Sequence, residues 1–336
     1  MKRWQVWLGL IISAIFLYLA LKGLHLPELW ASLVSARYWW ILPGVLVYFF
    51  AVWARTWRWH YMLRPIKRVP LGRLFPVVAI GYMGNNVYPA RAGEVIRAYV
   101  LKRKEDVSMS ASLATVLVER IFDGVIMLLF VFFSLPFTPM EDWLRRVVIV
   151  ASAAFFGALL VFFALALRPQ AAQRVYGWVV NRFVPERFRA PASGILDRFM
   201  EGLQSLRSPR DVVMIFVTSL VIWLAETVKY WFVMHAFDFF VPFYVLMLMN
   251  GVVNLATTIP SSPGYVGTFD LPGIEVLVSF PQYGVTRPEA TAYTLVLHGA
   301  LWFPITVLGA YYMWREQISW CEFDAAASRA EEQIID

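Results

Sequence analysis

The 336-residue chain is 60% hydrophobic and only 16% charged, with a mean hydropathy of +0.59, which is more apolar than a soluble globular chain of this size tolerates. Its net charge of +7 is gathered in segments between apolar runs, a topology signal rather than the footprint of a nucleic-acid-binding protein. Cys321 is the one cysteine, which excludes an intrachain disulfide and a cysteine-rich metal site.

A hydrocarbon core of about 30 Å takes roughly 20 apolar residues per helical crossing. Lys2-Arg3 and the apolar run 4–22 resemble a signal peptide in charge order, but no small-x-small site precedes Lys22, so the run reads as an uncleaved first helix. A second crossing covers 39–54. It closes on Arg55, Trp57, Arg58, Trp59 and His60, read as headgroup-level anchors or as a contact for a lipid phosphate. Residues 74–101 are apolar but broken by Asn85, Asn86, Pro89, Arg91, Gly93 and Glu94. Crossings follow at 111–135 and 146–167. The stretch 168–210 mixes eight arginines with Trp178, Phe183, Phe188 and Phe199, and reads either as amphipathic helices on an anionic inner leaflet or as a solvated positive-inside loop. A crossing at 212–236 precedes a second broken segment, 243–280, interrupted by Asn254, Pro260, Pro263, Gly264, Gly267 and Asp270. The last crossing is 289–314, and 321–336 is a frayed tail after a single membrane domain, 1–320.

Pro and Gly free backbone groups that hydrocarbon cannot satisfy, so neither broken segment is one lipid-facing helix. Lys and Arg place both termini, 55–73, 97–104 and 168–210 on the cytoplasmic side of a cell (inner) membrane. That assignment closes with six crossings only if both broken segments enter and leave on one side. The expected fold is therefore all-α and polytopic, with about six transmembrane helices and two oppositely oriented re-entrant hairpins forming an inverted repeat. Interrupted segments at corresponding places in two halves point to a transporter's central site.

Glu119, Arg120 and Asp123 sit near the middle of one crossing, Glu226 and Lys229 near the middle of another, and His298 inside the last. Each midplane charge costs roughly 3 kcal/mol, so these residues are expected to converge. Four-residue spacing puts Glu119 and Asp123 on one helical face. The bland alternative is a set of ion pairs locking the bundle, with Arg120–Asp123 and Glu226–Lys229 as intrahelical couples. Arg91, Glu94 and Arg97 recur every three residues after Pro89 and Gly93, so one helix face is expected to carry them, either as a phosphate fork or as a basic interfacial helix. The second hairpin, with Thr257, Thr258, Ser261, Ser262, Pro260, Pro263, Gly264 and Gly267, suits a path or gate. His298 reads as hydrogen-bonded structure or as a proton carrier. No nucleotide-binding loop and no H-E-x-x-H is present, so neither nucleotide-driven pumping nor zinc hydrolysis has support, and no cofactor is expected.

Four motifs carry a family resemblance: Arg55-x-x-Arg58-Trp59; Asn85-x-x-x-Pro89-x-Arg91-x-Gly93-Glu94-x-x-Arg97; Glu119-Arg120-x-x-Asp123; and Pro260-x-x-Pro263-Gly264-x-x-Gly267. With them the chain resembles the flippase-like membrane domain family typified by lysylphosphatidylglycerol synthase, the multiple peptide resistance factor. The resemblance spans nearly the whole chain and implies movement of a modified phospholipid between leaflets. Family members often have Glu where this chain has Asp270, and no soluble aminoacyl-transfer domain is expected in these 336 residues, so lysyl-lipid synthesis is not implied. Other members are fused to glycosyltransferases acting on polyprenyl-phosphate sugars, which widens the range of substrates.

The expectation is a lipid translocase whose midplane groove takes a phospholipid or lipid-linked headgroup. Arg91, Arg97, Arg120, Lys229 and Arg58 would work with Glu94, Glu119, Asp123, Glu226, Asn85 and Asn86. Setting Arg91, Arg97, Arg120 and Lys229 against the four carboxylates gives a near-neutral site suited to a zwitterionic headgroup. Rival readings are a membrane-embedded transferase with Glu119 or Asp123 as base, and an accessory subunit of envelope lipid synthesis. A separate soluble lipid-modifying enzyme and a second copy of the chain are the protein partners these readings admit.

Overall fold

A computed structural model describes residues 3–88, 91–138, 208–259 and 261–319, with isolated positions between 146 and 206. Everything regular in these residues is helical. Helix α1 (Arg3–Leu21) is followed by α2 (Leu26–Ser35), and the two are bent by 89° at the break between them. The segment between the first two expected crossings thus contains a helix, opened by Pro27 with Glu28 in its first turn, both of which favour a helix start. Leu26, Trp30 and Val34, spaced by four, leave an exposed apolar stripe along it.

Helix α3 (Ile41–Leu63) runs nine residues past the expected end of the second crossing. Next comes a helix–break–helix unit, α4 (Leu71–Val87) and α5 (Gly93–Glu105). Helix α5 carries Glu94 in its first turn and Lys102, Arg103 and Lys104 in its last, matching the helix dipole at both ends. The two helices meet at Gly93, where an added Cβ would lie 1.9 Å from the Gly81 carbonyl oxygen. Helix α6 (Met109–Ser134) starts at Ser108, whose hydroxyl accepts from the Ala111 N–H. Helix α7 (Pro209–Met234) starts at Ser208 in the same way. A second helix–break–helix unit joins α8 (Phe243–Ala256) to α9 (Asp270–Val278), and α10 (Arg287–Arg315) begins with a Thr286/Glu289 capping box.

Among the described residues, three helical stretches are long and apolar enough to cross a bilayer: Tyr38–Leu63, Pro209–Met234 and Arg287–Arg315, with a fourth if the bent α1–α2 pair is one span. Helix α6 has the length, 26 residues, but carries three charges in its middle. Helices α5, α8 and α9, at 13, 14 and 9 residues, are shorter than the roughly 20 a crossing needs. The expected crossing at 146–167, the stretch 168–207 and the tail 321–336 lie outside the described residues, apart from isolated positions, as do Pro89 and Pro260.

The apolar interior has two parts. One gathers Trp59, Met62, Leu74, Val78, Ile80 and Ile96 around α4 and α5. The other gathers Val245, Met249, Val253, Ile274 and Leu277 around α8 and α9. Long helices hold them together, with α3 packed along α7 and α10 touching both helix–break–helix units.

Candidate functional site

The two breaks face each other. Between α4 and α5, Arg91 adopts φ +56°, a left-handed conformation that is uncommon for a side chain-bearing residue. Between α8 and α9, Gly264 (φ +72°) and Gly267 (φ +82°) supply the backbone reversal at no side-chain cost. The Nη2 of Arg91 donates to Thr257 Oγ1 at 3.3 Å and its guanidinium lies 5.8 Å from the centre of the Tyr265 ring. Asn86 donates to the Trp302 carbonyl (3.1 Å) and to Thr306 Oγ1 (2.8 Å), tying the first break to α10.

Beside this meeting point is a cavity of about 130 Å³, whose wall includes Arg55, Arg91, Arg120, Asp123 and Glu226. A second chamber of about 140 Å³, reaching Ile259 and Ser262, shares Asn85, Arg91, Thr257 and Tyr265 with it. Asn85 Oδ1 and the Nε atoms of Arg91 and Arg120 are buried with no hydrogen-bond partner, an uncommon state for polar atoms out of water.

Behind the cavity wall lies a closed ionic lattice. Glu119, fully buried, receives Arg58 Nη2 at 2.7 Å on one oxygen and Arg97 Nη2 at 2.6 Å on the other. Arg58, also fully buried, reaches Asp123 Oδ1 at 2.6 Å and Ser219 Oγ at 2.8 Å. Trp223 Nε1 donates to the same Asp123 oxygen at 2.9 Å. The chain of charges continues through Arg120, 3.6 Å from Asp123 and 2.9 Å from Glu94, to Arg91, 3.8 Å from Glu94. A second chain links Arg55 to Glu226 and Glu226 to Lys229. Arg55 lies 5.3 Å from the Trp223 ring centre, and Lys229 4.7 Å from that of Tyr48.

The residues singled out from sequence therefore divide. Arg91, Arg120, Asp123, Glu226, Asn85 and Asn86 line the first cavity. Glu94 and Arg97 border a smaller pocket beside α5, while Arg58, Glu119 and Lys229 stand behind the wall. Arg91, Glu94 and Arg97 do not share one helix face, because Arg91 precedes the helix in a left-handed turn, and steps of three turn Arg97 inward to Glu119. Arg55, Arg58 and Trp59 are buried rather than exposed as headgroup anchors would be. Helix α3 carries them into the bundle, where Trp59 Nε1 donates to Thr115 Oγ1. The four-against-four balance changes accordingly: Arg55 and Arg58 join the cations, making six against Glu94, Glu119, Asp123 and Glu226.

The other flagged residues form a second group. Asp270 caps the Gly267 N–H at 2.8 Å and lies 2.8 Å from His298 Nδ1; His298 Nε2 is 2.6 Å from the Gly264 carbonyl oxygen. The ring is held on both sides: Nε2 donates to the Gly264 carbonyl and Nδ1 shares a proton with Asp270, a pair that is neutral overall whichever partner holds that proton. Pro263 and Gly264 form the short turn that this pair holds. Sequence reasoning missed Tyr82, Trp223, Thr257 as a partner of Arg91, Tyr265 and Trp302, all of which line the cavity. Helical spacing held a signal for two of them: Trp302 lies four residues after His298, and Trp223 three before Glu226.

The model of the family described as Lysylphosphatidylglycerol synthase TM region matches residues 6–309. The glycosyltransferase AglD of Haloferax volcanii is 26% identical over 92% of this chain, which spans about half, 54%, of that protein's length. A UPF0104 membrane protein of Methanothermobacter thermautotrophicus is 26% identical over 78% of this chain and 81% of its own. Another, of Methanocaldococcus jannaschii, is 20% identical over 89% of this chain and 91% of its own. No solved structure matches. With 6–309 matched by its model, the chain belongs to the lysylphosphatidylglycerol synthase transmembrane-region family.

Proposed function

We propose that this protein is a lipid translocase that moves a phospholipid or lipid-linked headgroup between leaflets while the acyl or prenyl tails stay in lipid. The observation that carries the reading is the cavity with three arginines in its wall where two helix breaks meet. Backbone that is not helical is tolerated at membrane depth only where protein or a polar cavity satisfies it, and paired breaks mark central transport sites. In this reading the two helix–break–helix units are oppositely inserted re-entrant hairpins among about six crossings, both termini are cytoplasmic in the cell membrane, and Arg91 and Arg120 hold the headgroup phosphate. Pro89, Gly93, Pro260, Pro263, Gly264, Gly267 and Asp270 shape the gate, and His298 with Asp270 sets its closed form. Exposed apolar side chains beside the chambers, Ile259 and Trp302, suit passage of tails. A soluble lipid-modifying enzyme and a second copy of the chain are the protein partners.

A transferase acting on a lipid-linked sugar is the second reading, favoured by the similarity to the Haloferax glycosyltransferase. It needs a carboxylate free to accept a proton. Both oxygens of Glu119 are taken by guanidinium groups, and Asp123 is held by Arg58, Arg120 and Trp223, which weighs against either as a base. Proteoliposomes with fluorescent phospholipids test the choice. Wild-type protein is expected to scramble them, and Arg91→Gln and Arg120→Gln to slow scrambling about tenfold each. Rates unchanged by both substitutions refute the translocase site, and a covalent product from unmodified lipid favours the transferase.

A further inference from the structure

The net charge of the cluster, part of it fully buried and part lining the cavity, narrows the substrate class, on the premise that the cavity is a headgroup site. The first chain of charges contains Arg97, Arg58, Arg120 and Arg91 against Glu119, Asp123 and Glu94. The second contains Arg55 and Lys229 against Glu226. Each chain has one cation more than it has carboxylates. His298 and Asp270, across the cavity, cancel each other. Both surpluses reach the cavity: the first chain ends on Arg91, which besides the Tyr265 ring has a 3.8 Å approach to Glu94 and a 3.3 Å hydrogen bond to Thr257, and Arg55 of the second lies in the same wall. An uncompensated charge with little water around it is costly; Arg55 is 8% exposed and Arg91 23%, and two such surpluses around one cavity, beside arginine Nε atoms with no acceptor, call for an anion.

We infer that this cavity takes a phosphate group bearing close to two negative charges on a lipid with no compensating cation, a lipid monophosphate or diphosphate, in preference to zwitterionic or aminoacylated phospholipids. A phosphate monoester carries about −1.5 to −2 at neutral pH, which matches the surplus. A phosphodiester with an ammonium group brings no net charge and leaves the surplus in place. Arginine forks suit the oxygens of a terminal phosphate.

The test is lipid binding to the full-length protein in detergent micelles, read by native mass spectrometry. Dioleoyl phosphatidic acid, dioleoyl phosphatidylethanolamine and lysyl-phosphatidylglycerol serve as probes, and glycerol 3-phosphate and inorganic phosphate as competitors. Phosphatidic acid is expected to bind at least about tenfold more tightly than the other two lipids. Thr257→Asp places a carboxylate beside Arg91, cancels one surplus charge, and is expected to weaken phosphatidic acid about tenfold while sparing phosphatidylethanolamine. Should that variant not fold, Arg91→Gln with a melting control asks the same question.

Equal binding of phosphatidic acid and phosphatidylethanolamine, or equal weakening of both by the variant, overturns the inference. Displacement by inorganic phosphate or glycerol 3-phosphate at the lipid's own concentration also overturns it, by assigning the site to a free anion. Tight, selective binding of phosphatidic acid by a protein that scrambles no lipid supports the charge class and refutes the translocase reading, so the two failures are distinguishable.

Discussion

Glu119→Gln isolates the ionic lattice from the cavity it supports. Glu119 is fully buried and has one guanidinium on each oxygen, at 2.7 and 2.6 Å. Glutamine keeps an acceptor for one arginine but turns an N–H₂ donor toward the other, and it raises the net positive charge of the cluster by one. Removing one member of a buried charge pair costs about 3–5 kcal/mol. With an unfolding entropy of about 2 cal/mol/K per residue, that cost corresponds to a fall of about 4–7 °C in melting temperature for a chain of this length. The assay is thermal unfolding in detergent followed by tryptophan fluorescence. Adding Arg97→Met to Glu119→Gln removes the arginine left unpaired, so the double variant should regain part of the loss, with a coupling of about 0.5–3 kcal/mol. An unchanged melting temperature for the single variant, or strictly additive losses in the double, would refute the lattice.

Three other substitutions probe the frame around the site. Gly93→Ala puts a Cβ 1.9 Å from the Gly81 carbonyl oxygen and 2.5 Å from the Asn85 nitrogen; because backbone atoms cannot swing aside, α4 and α5 must part, and a loss above about 3 kcal/mol is expected in the same melting assay. His298→Phe strips Asp270, 2% exposed, of its imidazole partner, leaving a buried polar group unsatisfied at a cost of about 1–3 kcal/mol or more, and His298→Phe with Asp270→Asn should be less damaged than His298→Phe alone. Asn86→Ala loses hydrogen bonds to the Trp302 carbonyl and Thr306, each worth about 1 kcal/mol; limited proteolysis should show faster cleavage near the α4–α5 break than in wild type.

Mid-helix charge was the most legible feature of the sequence, because Glu119, Arg120 and Asp123 interrupt an apolar run that otherwise has one reading. Four-residue spacing also put Glu119 and Asp123 on one face, and Arg58 engages both. The end of α3 was not legible. Arg55, Trp57, Arg58, Trp59 and His60 have the composition of a membrane interface, and what draws Arg58 and Arg55 inward are carboxylates 61 and 171 positions away in the chain. Periodicity also failed at Arg91, since a repeat of three presumes continuous helix and the φ of +56° there breaks it. The start of α2 was written in Pro27 and Glu28, but ten residues are too few for the apolar-run criterion that located the crossings.

The division of the cluster follows from where its residues can move. Glu119, Arg58 and Lys229 sit on the long helices α3, α6 and α7, are at most 1% exposed, and answer one another's charge. Arg91 sits on no helix; it stands between α4 and α5 in a left-handed turn with a hydroxyl and a distant carboxylate as partners. Its neighbour across the gap is a turn held by Gly264, Asp270 and His298. In the proposed translocase, a ligand that draws Arg91 away from Thr257 would loosen the contact between the two breaks while the lattice behind keeps its geometry. Binding and opening would then share one hydrogen bond, and Thr257→Val, which removes it, should favour parted breaks in the unliganded protein. A cysteine pair at Tyr88 and Ser262 reports this through its crosslinking yield. Less crosslinking in Thr257→Val than in the Thr257 parent supports the coupling, and an equal yield refutes it.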